Sequence, residues 1–195
     1  MQLSRPELWL VLSVLVVGLS ACASTSTTSA SKRVSEHGYV FPTIEKAFEN
    51  SLTGRTLFFS NDGHGTQVEY FADNGRAYLW YRGNRTAVSS RWRTASPETG
   101  DIPGPPIPIG RGDVAICFKY PSASYNPVTK TSGGAWECRA SILFGENVVA
   151  IVEGDPFDLA SGQLPAVMPK NSTMSVEEIL TLTPAAENLN YIWKR

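Results

Sequence analysis

Thr66-Gln67-Val68-Glu69-Tyr70-Phe71-Ala72-Asp73-Asn74-Gly75-Arg76-Ala77-Tyr78-Leu79-Trp80-Tyr81 decides the fold of this chain. Two runs of β-branched and aromatic residues flank Asp73-Asn74-Gly75, and asparagine and glycine tolerate the left-handed backbone that a tight reversal needs. The stretch reads as a β-hairpin. Upstream, Arg55-Thr56-Leu57-Phe58-Phe59-Ser60 ends at the turn residues Asn61-Asp62-Gly63. Downstream, Gly83-Asn84 leads into Thr86-Ala87-Val88-Ser89-Ser90-Arg91-Trp92-Arg93. Four strands in a meander follow from this turn chemistry.

Beyond the meander, the segment from Pro97 to Gly112 holds Pro103, Pro105, Pro106 and Pro108. Proline donates no ladder hydrogen bond, so this segment is a surface excursion. Three further strands are expected at Val114 to Tyr120, Ala135 to Phe144 and Val148 to Val152. Short helices precede and follow the strands. The first spans Pro42 to Asn50, with Thr43 as its cap and Ile44, Ala47 and Phe48 on one face. The second, Ser175 to Leu180, opens with a capping-box spacing from Ser175 to Glu178. The fold class is mainly β, an antiparallel meander closed or nearly closed into a small barrel.

The chain has 195 residues, 42% of them hydrophobic and 18% charged. That is too apolar for a disordered tail and too polar for a multi-span membrane protein. A formal net charge of −1 provides no basic field for nucleic acid, which is excluded as a partner class.

The amino terminus carries an address. Arg5 precedes the apolar run Leu8-Trp9-Leu10-Val11-Leu12-Ser13-Val14-Leu15-Val16-Val17, followed by small residues up to Cys22. These are the three regions of a secretory signal, and the run falls short of the about 20 residues of a spanning helix. Leu19-Ser20-Ala21-Cys22 resembles the lipobox of bacterial lipoprotein precursors. The resemblance implies cleavage before Cys22, diacylglycerol on its sulfur and acylation of the new amino terminus, a durable membrane attachment. By resemblance to Gram-negative lipoproteins, Ala23 after that cysteine, rather than Asp, favours export to the outer membrane, facing the periplasm, over retention in the inner one. The alternative is an ordinary secreted protein with a chance cysteine at the cleavage site. The expected organisation is a signal peptide over 1–21, an acylated cysteine and flexible tether over 22–38, and one β-barrel-like domain over 39–195. With Cys22 lipidated, Cys117 and Cys138 remain as an even pair in an oxidising space, and a disulfide between them is expected, with two buried free thiols as the alternative.

The body carries a second resemblance. Leu52-Thr53-Gly54-Arg55-Thr56-Leu57, Tyr70-Phe71-Ala72-Asp73-Asn74-Gly75, Trp92, Ile116-Cys117 and Trp136-Glu137-Cys138 look like the short motifs of small secreted bacterial β domains of unknown function. Arg91 stands where that pattern has glycine. The resemblance runs from about Leu52 to Gly154 and implies a lipocalin-like barrel without supplying catalytic residues.

Chemistry is sparse. The two histidines are His37, near the tether, and His64, within the turn Asp62-Gly63-His64-Gly65. No nucleophile elbow and no metalloprotease motif occurs, and no metal site or cofactor is expected. Asp155 and Asp158 offer a carboxylate pair for a hydrolase, although acids after a strand commonly cap loops. Charge is more distinctive: no acid lies between Asp73 and Glu98, a stretch that holds five arginines. Arg76, Arg82, Arg91 and Arg93 with Tyr78 and Trp80 form the candidate binding set, since guanidinium forks and aromatic faces hold phosphate, carboxylate, sugar or a protein surface. By alternation Tyr78, Trp80 and Arg82 share one face, facing outward if Ala77, Leu79 and Tyr81 face the core. An ordinary solvated hairpin face is the alternative. The loop Pro121 to Pro127, closed by Gly133-Gly134, is long enough to bind at a barrel rim. The functional expectation is a non-catalytic envelope module for an envelope component, glycan or protein partner. Its rivals are a barrel-interior binder of a small apolar ligand and a carboxylate-dependent hydrolase.

Overall fold

The computed structural model describes residues 38–98, 102–103, 107, 109, 113–170, 173–183 and 188–195. Cys22, the tether up to residue 37 and most of the proline-rich excursion lie outside them.

Helix α1 (Glu45–Leu52) leads into β1 (Arg55–Asn61), β2 (Gly65–Phe71), β3 (Arg76–Tyr81) and β4 (Val88–Ala95). After the excursion come β5 (Ala115–Lys119) and a small hairpin of β6 (Tyr125–Asn126) and β7 (Thr131–Ser132). Then follow β8 (Glu137–Ala140), α2 (Ser141–Gly145), β9 (Val148–Glu153), α3 (Val176–Thr181) and β10 (Tyr191–Lys194). Eight strands form one antiparallel sheet in the order β10-β9-β1-β2-β3-β4-β5-β8. The sheet curls into an open half-barrel rather than closing, because among the described residues β8 and β10 remain at opposite edges.

The central strands are buried on both faces. Register places Leu57 and Phe59 with Phe71, Ala77, Trp92, Ile116 and Ile151 inside the curl, where Phe41, Phe48 and Leu52 pack on them. Phe58, Val68, Trp80, Ala150 and Val152 point the other way. They are covered by Phe157, Leu159, Met168, Val176 and Ile179 from the segment after β9. Two-sided burial explains why Leu57-Phe58-Phe59 reads as an unbroken apolar run instead of an alternation. A register shift between Phe58 and Phe59 lets β1 keep both faces matched to β9.

Several expectations need correction. Trp80 does not face outward to a partner: it is 0% exposed, with its ring 5.6 Å from that of Phe157. The alternation is as expected, with Tyr78 and Trp80 opposite Ala77 and Leu79, but the outer face over β1, β2, β3 and β9 is roofed by the C-terminal segment. The expected strand from Ala135 to Phe144 divides into β8 and α2. Helix α2 carries the chain from one sheet edge toward β9 and drives Phe144 among Phe41, Phe59, Phe71 and Phe118. Its last residue must be glycine, since a Cβ on Gly145 would lie 2.0 Å from the Tyr39 carbonyl oxygen. Helix α1 starts two residues later than its expected cap, with Ile44 71% exposed, and buries Phe48 and Leu52 instead. Strand β4 starts at Val88, leaving Thr86 in an isolated bridge to Gln163. The capping box on α3 is present in both directions: Ser175 Oγ accepts from Glu178 N, and Glu178 Oε2 accepts from Ser175 N.

Cys117 and Cys138 are disulfide-bonded and directly opposed in the β5–β8 register. The bridge sits on the outer face, opposite the side occupied by Phe118 and Ile116.

Candidate functional site

The inside of the half-barrel is a trough with two unlike ends. At one end Leu57, Phe71, Ala77, Trp92 and Ile116 are packed beneath α1 and Phe41. At the other end the same strands present Phe59, Gln67, Glu69, Leu79, Tyr81, Val88 and Phe118 to a cavity of about 1000 Å³. Helix α1 packs on the first end, and inward residues further along the strands line the cavity instead. The alternation that builds the core therefore also builds the cavity wall.

A hairpin leans across the open end. The segment after β5 turns at Ser124, whose N–H donates to the Pro121 carbonyl at 2.9 Å, and returns through Gly133 and Gly134 to hydrogen-bond Ser124 and Tyr120 carbonyls. Asn126 Oδ1 accepts from the N–H groups of Val128 and Thr129, tightening the tip. Gly133 has no room for a side chain, since a Cβ would lie 2.2 Å from the Pro121 carbonyl oxygen. Val128 at the tip comes up against Gly63 in the β1–β2 turn. The loop expected at the rim is thus a hydrogen-bonded arm spanning the trough, and Tyr125, Asn126 and Thr131 line the cavity from it.

The floor holds a buried acid. Glu69 is 4% exposed and accepts a hydrogen bond from the Tyr120 hydroxyl at 3.2 Å. Burial pushes its carboxyl up to about 8, and the Tyr120 hydrogen bond offsets only part of that rise. The same burial, with the Glu69 charge and hydrogen bond, raises the Tyr120 phenol well above its ordinary value. At neutral pH Glu69 is therefore mostly a neutral acid, a hydrogen-bond donor as well as acceptor. It makes no second hydrogen bond among the described residues.

The mouth is cationic. Arg82, Arg139 and Lys170 line it, with Glu137 among them. Arg82 donates to the Gly63 carbonyl at 2.9 Å, and the Lys170 stem lies over Gly83. His64 Nδ1 sits 3.3 Å from the Tyr81 hydroxyl. Burial, then the Arg82 and Arg139 charges, lower the pKa of His64, so its ring is neutral at neutral pH.

The six residues expected to bind do not form one surface. Arg82 joins the cavity mouth, Trp80 is core, and Tyr78 is half-buried beside Tyr70 with near-parallel rings 6.4 Å apart. Arg93 lies over the Trp136 ring at 5.2 Å. Arg76 and Arg91 stay exposed on the outer face and stand opposite each other in the β3–β4 register. Asp155 is committed to structure, accepting from Leu159 N and Ala160 N at 2.9 and 2.8 Å, while Asp158 is exposed. Sequence reasoning did not single out Glu69, Tyr120 or Arg139.

Among the described residues there is no cluster of His, Cys, Asp and Glu able to hold a metal ion and no helix long and apolar enough to cross a membrane. Compared with known proteins, the chain matches no family model, no curated protein and no solved structure.

Proposed function

We propose that this chain is a cell-envelope lipoprotein, held by lipid on Cys22 at the periplasmic leaflet of the outer membrane, whose half-barrel binds a small amphiphilic ligand in its trough without chemical conversion. The observation that supports it is the cavity of about 1000 Å³, within the size range of small-molecule sites, with an apolar floor and a few convergent polar groups. Phe59, Leu79, Phe118 and Phe144 suit an apolar body. Neutral Glu69 offers one oriented hydrogen bond at the bottom, and Arg82, Arg139 and Lys170 suit an anionic head at the mouth. This use of a curled sheet's interior is lipocalin-like. A catalytic reading lacks support, because Asp155 is occupied by backbone donors and Asp158 stands in solvent.

Native mass spectrometry of protein released from intact envelopes tests the reading. A bound mass of small-molecule size is expected, and Leu79→Trp, which fills the floor, should abolish it while the folded protein persists. Only unliganded protein, or a mass retained in that variant, would refute the trough as the site. Labelling with radioactive palmitate tests the anchor separately: label on the wild type that is missing from Cys22→Ser is expected, and an unlabelled, freely soluble product would refute attachment.

A further inference from the structure

Three cations stand in a row on the outer face. Arg76 on β3 is opposite Arg91 on β4, and Arg91 is opposite Lys119 on β5. All three are exposed, and among the described residues none enters a salt bridge. The Arg76 guanidinium donates one hydrogen bond among the described residues, to Ser89 Oγ at 3.0 Å. Of the acids nearby in the fold, Glu137 is in register with Phe118 on the trough side, whereas Asp73, in the β2–β3 turn, and Asp155 act on Tyr70 of the outer face without pairing with any of the three cations. The C-terminal segment that roofs the outer face covers the apolar part of it, over Phe58, Val68 and Trp80, and stops short of this row.

Like charges placed directly opposite on neighbouring strands destabilise a sheet. Here two such juxtapositions are adjacent, which a fold does not need for its own stability. Ser89, Ser122 and Gly134 line a shallow depression of about 410 Å³ together with the three cations. Two guanidinium forks, an ammonium and hydroxyl donors converge there, and guanidinium forks match phosphoryl oxygens two at a time. The row crosses two strand spacings, ~10 Å, longer than a single phosphate and suited to linked phosphoryl groups.

We infer that Arg76, Arg91 and Lys119 form a second binding site, independent of the trough, for a ligand carrying two or more phosphoryl groups. Such groups occur free, as a diphosphate, or arrayed on an anionic lipid surface.

Titration of inorganic pyrophosphate into the intact protein at low ionic strength, followed by melting temperature and calorimetry, is the test. A saturating rise in melting temperature is expected, weakening as salt is added. Arg91→Gln should bind about tenfold more weakly and, without pyrophosphate, melt at the same temperature as the wild type or higher, because a repulsion is gone. A second arm compares association with phosphatidylcholine vesicles with and without phosphatidylglycerol. Preference for the anionic vesicles that is lost in Arg91→Gln assigns the phosphoryl source to a lipid surface; pyrophosphate binding without that preference assigns a free ligand. No response in either arm, or an equal response in Arg91→Gln, overturns the site. Ligand capture in the trough is read separately through Leu79→Trp, so the two assignments fail independently.

Discussion

Glu69 makes the fold pH-sensitive. Its folded carboxyl titrates at about 8, above its ordinary value of 4.5, so the folded state holds a proton that the unfolded state has released between those limits. Stability therefore falls as pH rises through that window, by on the order of a few kcal/mol for a carboxyl this buried. Urea midpoints at pH 5, 7 and 9 should drop for the wild type and stay nearly level for Glu69→Gln, which has the shape but no titration. Equal slopes in the two proteins would show that the carboxyl ionises freely. Tyr120→Phe removes the hydrogen bond that favours the charged form, so the Glu69 carboxyl should titrate higher still. Carbon-detected NMR of the side chain reads that shift directly, at a stability cost of about 1 kcal/mol. The sequence concealed this residue for a physical reason. Gln67 and Glu69 alternate with Val68 and Tyr70, which places the polar pair on the solvent side of an ordinary half-buried strand. On β2 both sides are enclosed, and the polar side faces a cavity instead of bulk water.

At the level of elements, the C-terminal segment carries much of the outer core. Phe157 packs on Phe58 and Trp80, so Phe157→Ala should cost about 3–5 kcal/mol and shift Trp80 emission to the red. An unchanged denaturation midpoint would mean the segment is not needed to cover the sheet. Ser175→Ala deletes one arm of the capping box on α3 and should cost about 1 kcal/mol, with the loss of amide-exchange protection concentrated in Val176 to Thr181. The Glu177–Lys194 ion pair joining α3 to β10 is exposed, so salt should alter the midpoint little. Strands β1 to β4 were legible because each is bounded by local turn chemistry: Gly65 and Gly75 have φ of +67° and +72°, which favours glycine. The burial of Trp80 was not legible, because it depends on residues about 80 positions later. The β8–α2 break was hidden for a similar reason. Ser141 to Phe144 has no helical signature of its own, and the chain turns there because Phe144 fills the aromatic core.

For the whole molecule, the disulfide secures an edge. Among the described residues strand β8 is hydrogen-bonded within the sheet only to β5, and the Cys117–Cys138 bridge backs that ladder while fixing the base of the arm over the trough. Reduction should lower stability by roughly 3 kcal/mol and deprotect β8 and the segment 120–136 before β1 to β4, as hydrogen exchange would show. Uniform loss across the sheet would argue against this local role. The order of the strands has a consequence in time. Strand β1 lies between β2, its neighbour in sequence, and β9, which arrives almost a hundred residues later; Thr56 Oγ1 donates to the Gly154 carbonyl across that gap. Long sequence separation makes such closure slow. A nascent chain emerging from the ribosome can zip its first hairpins early, yet Leu57-Phe58-Phe59 must wait with one bare backbone edge until β9 has followed. During that interval the middle of the future sheet is its stickiest edge, a natural target for a holding chaperone.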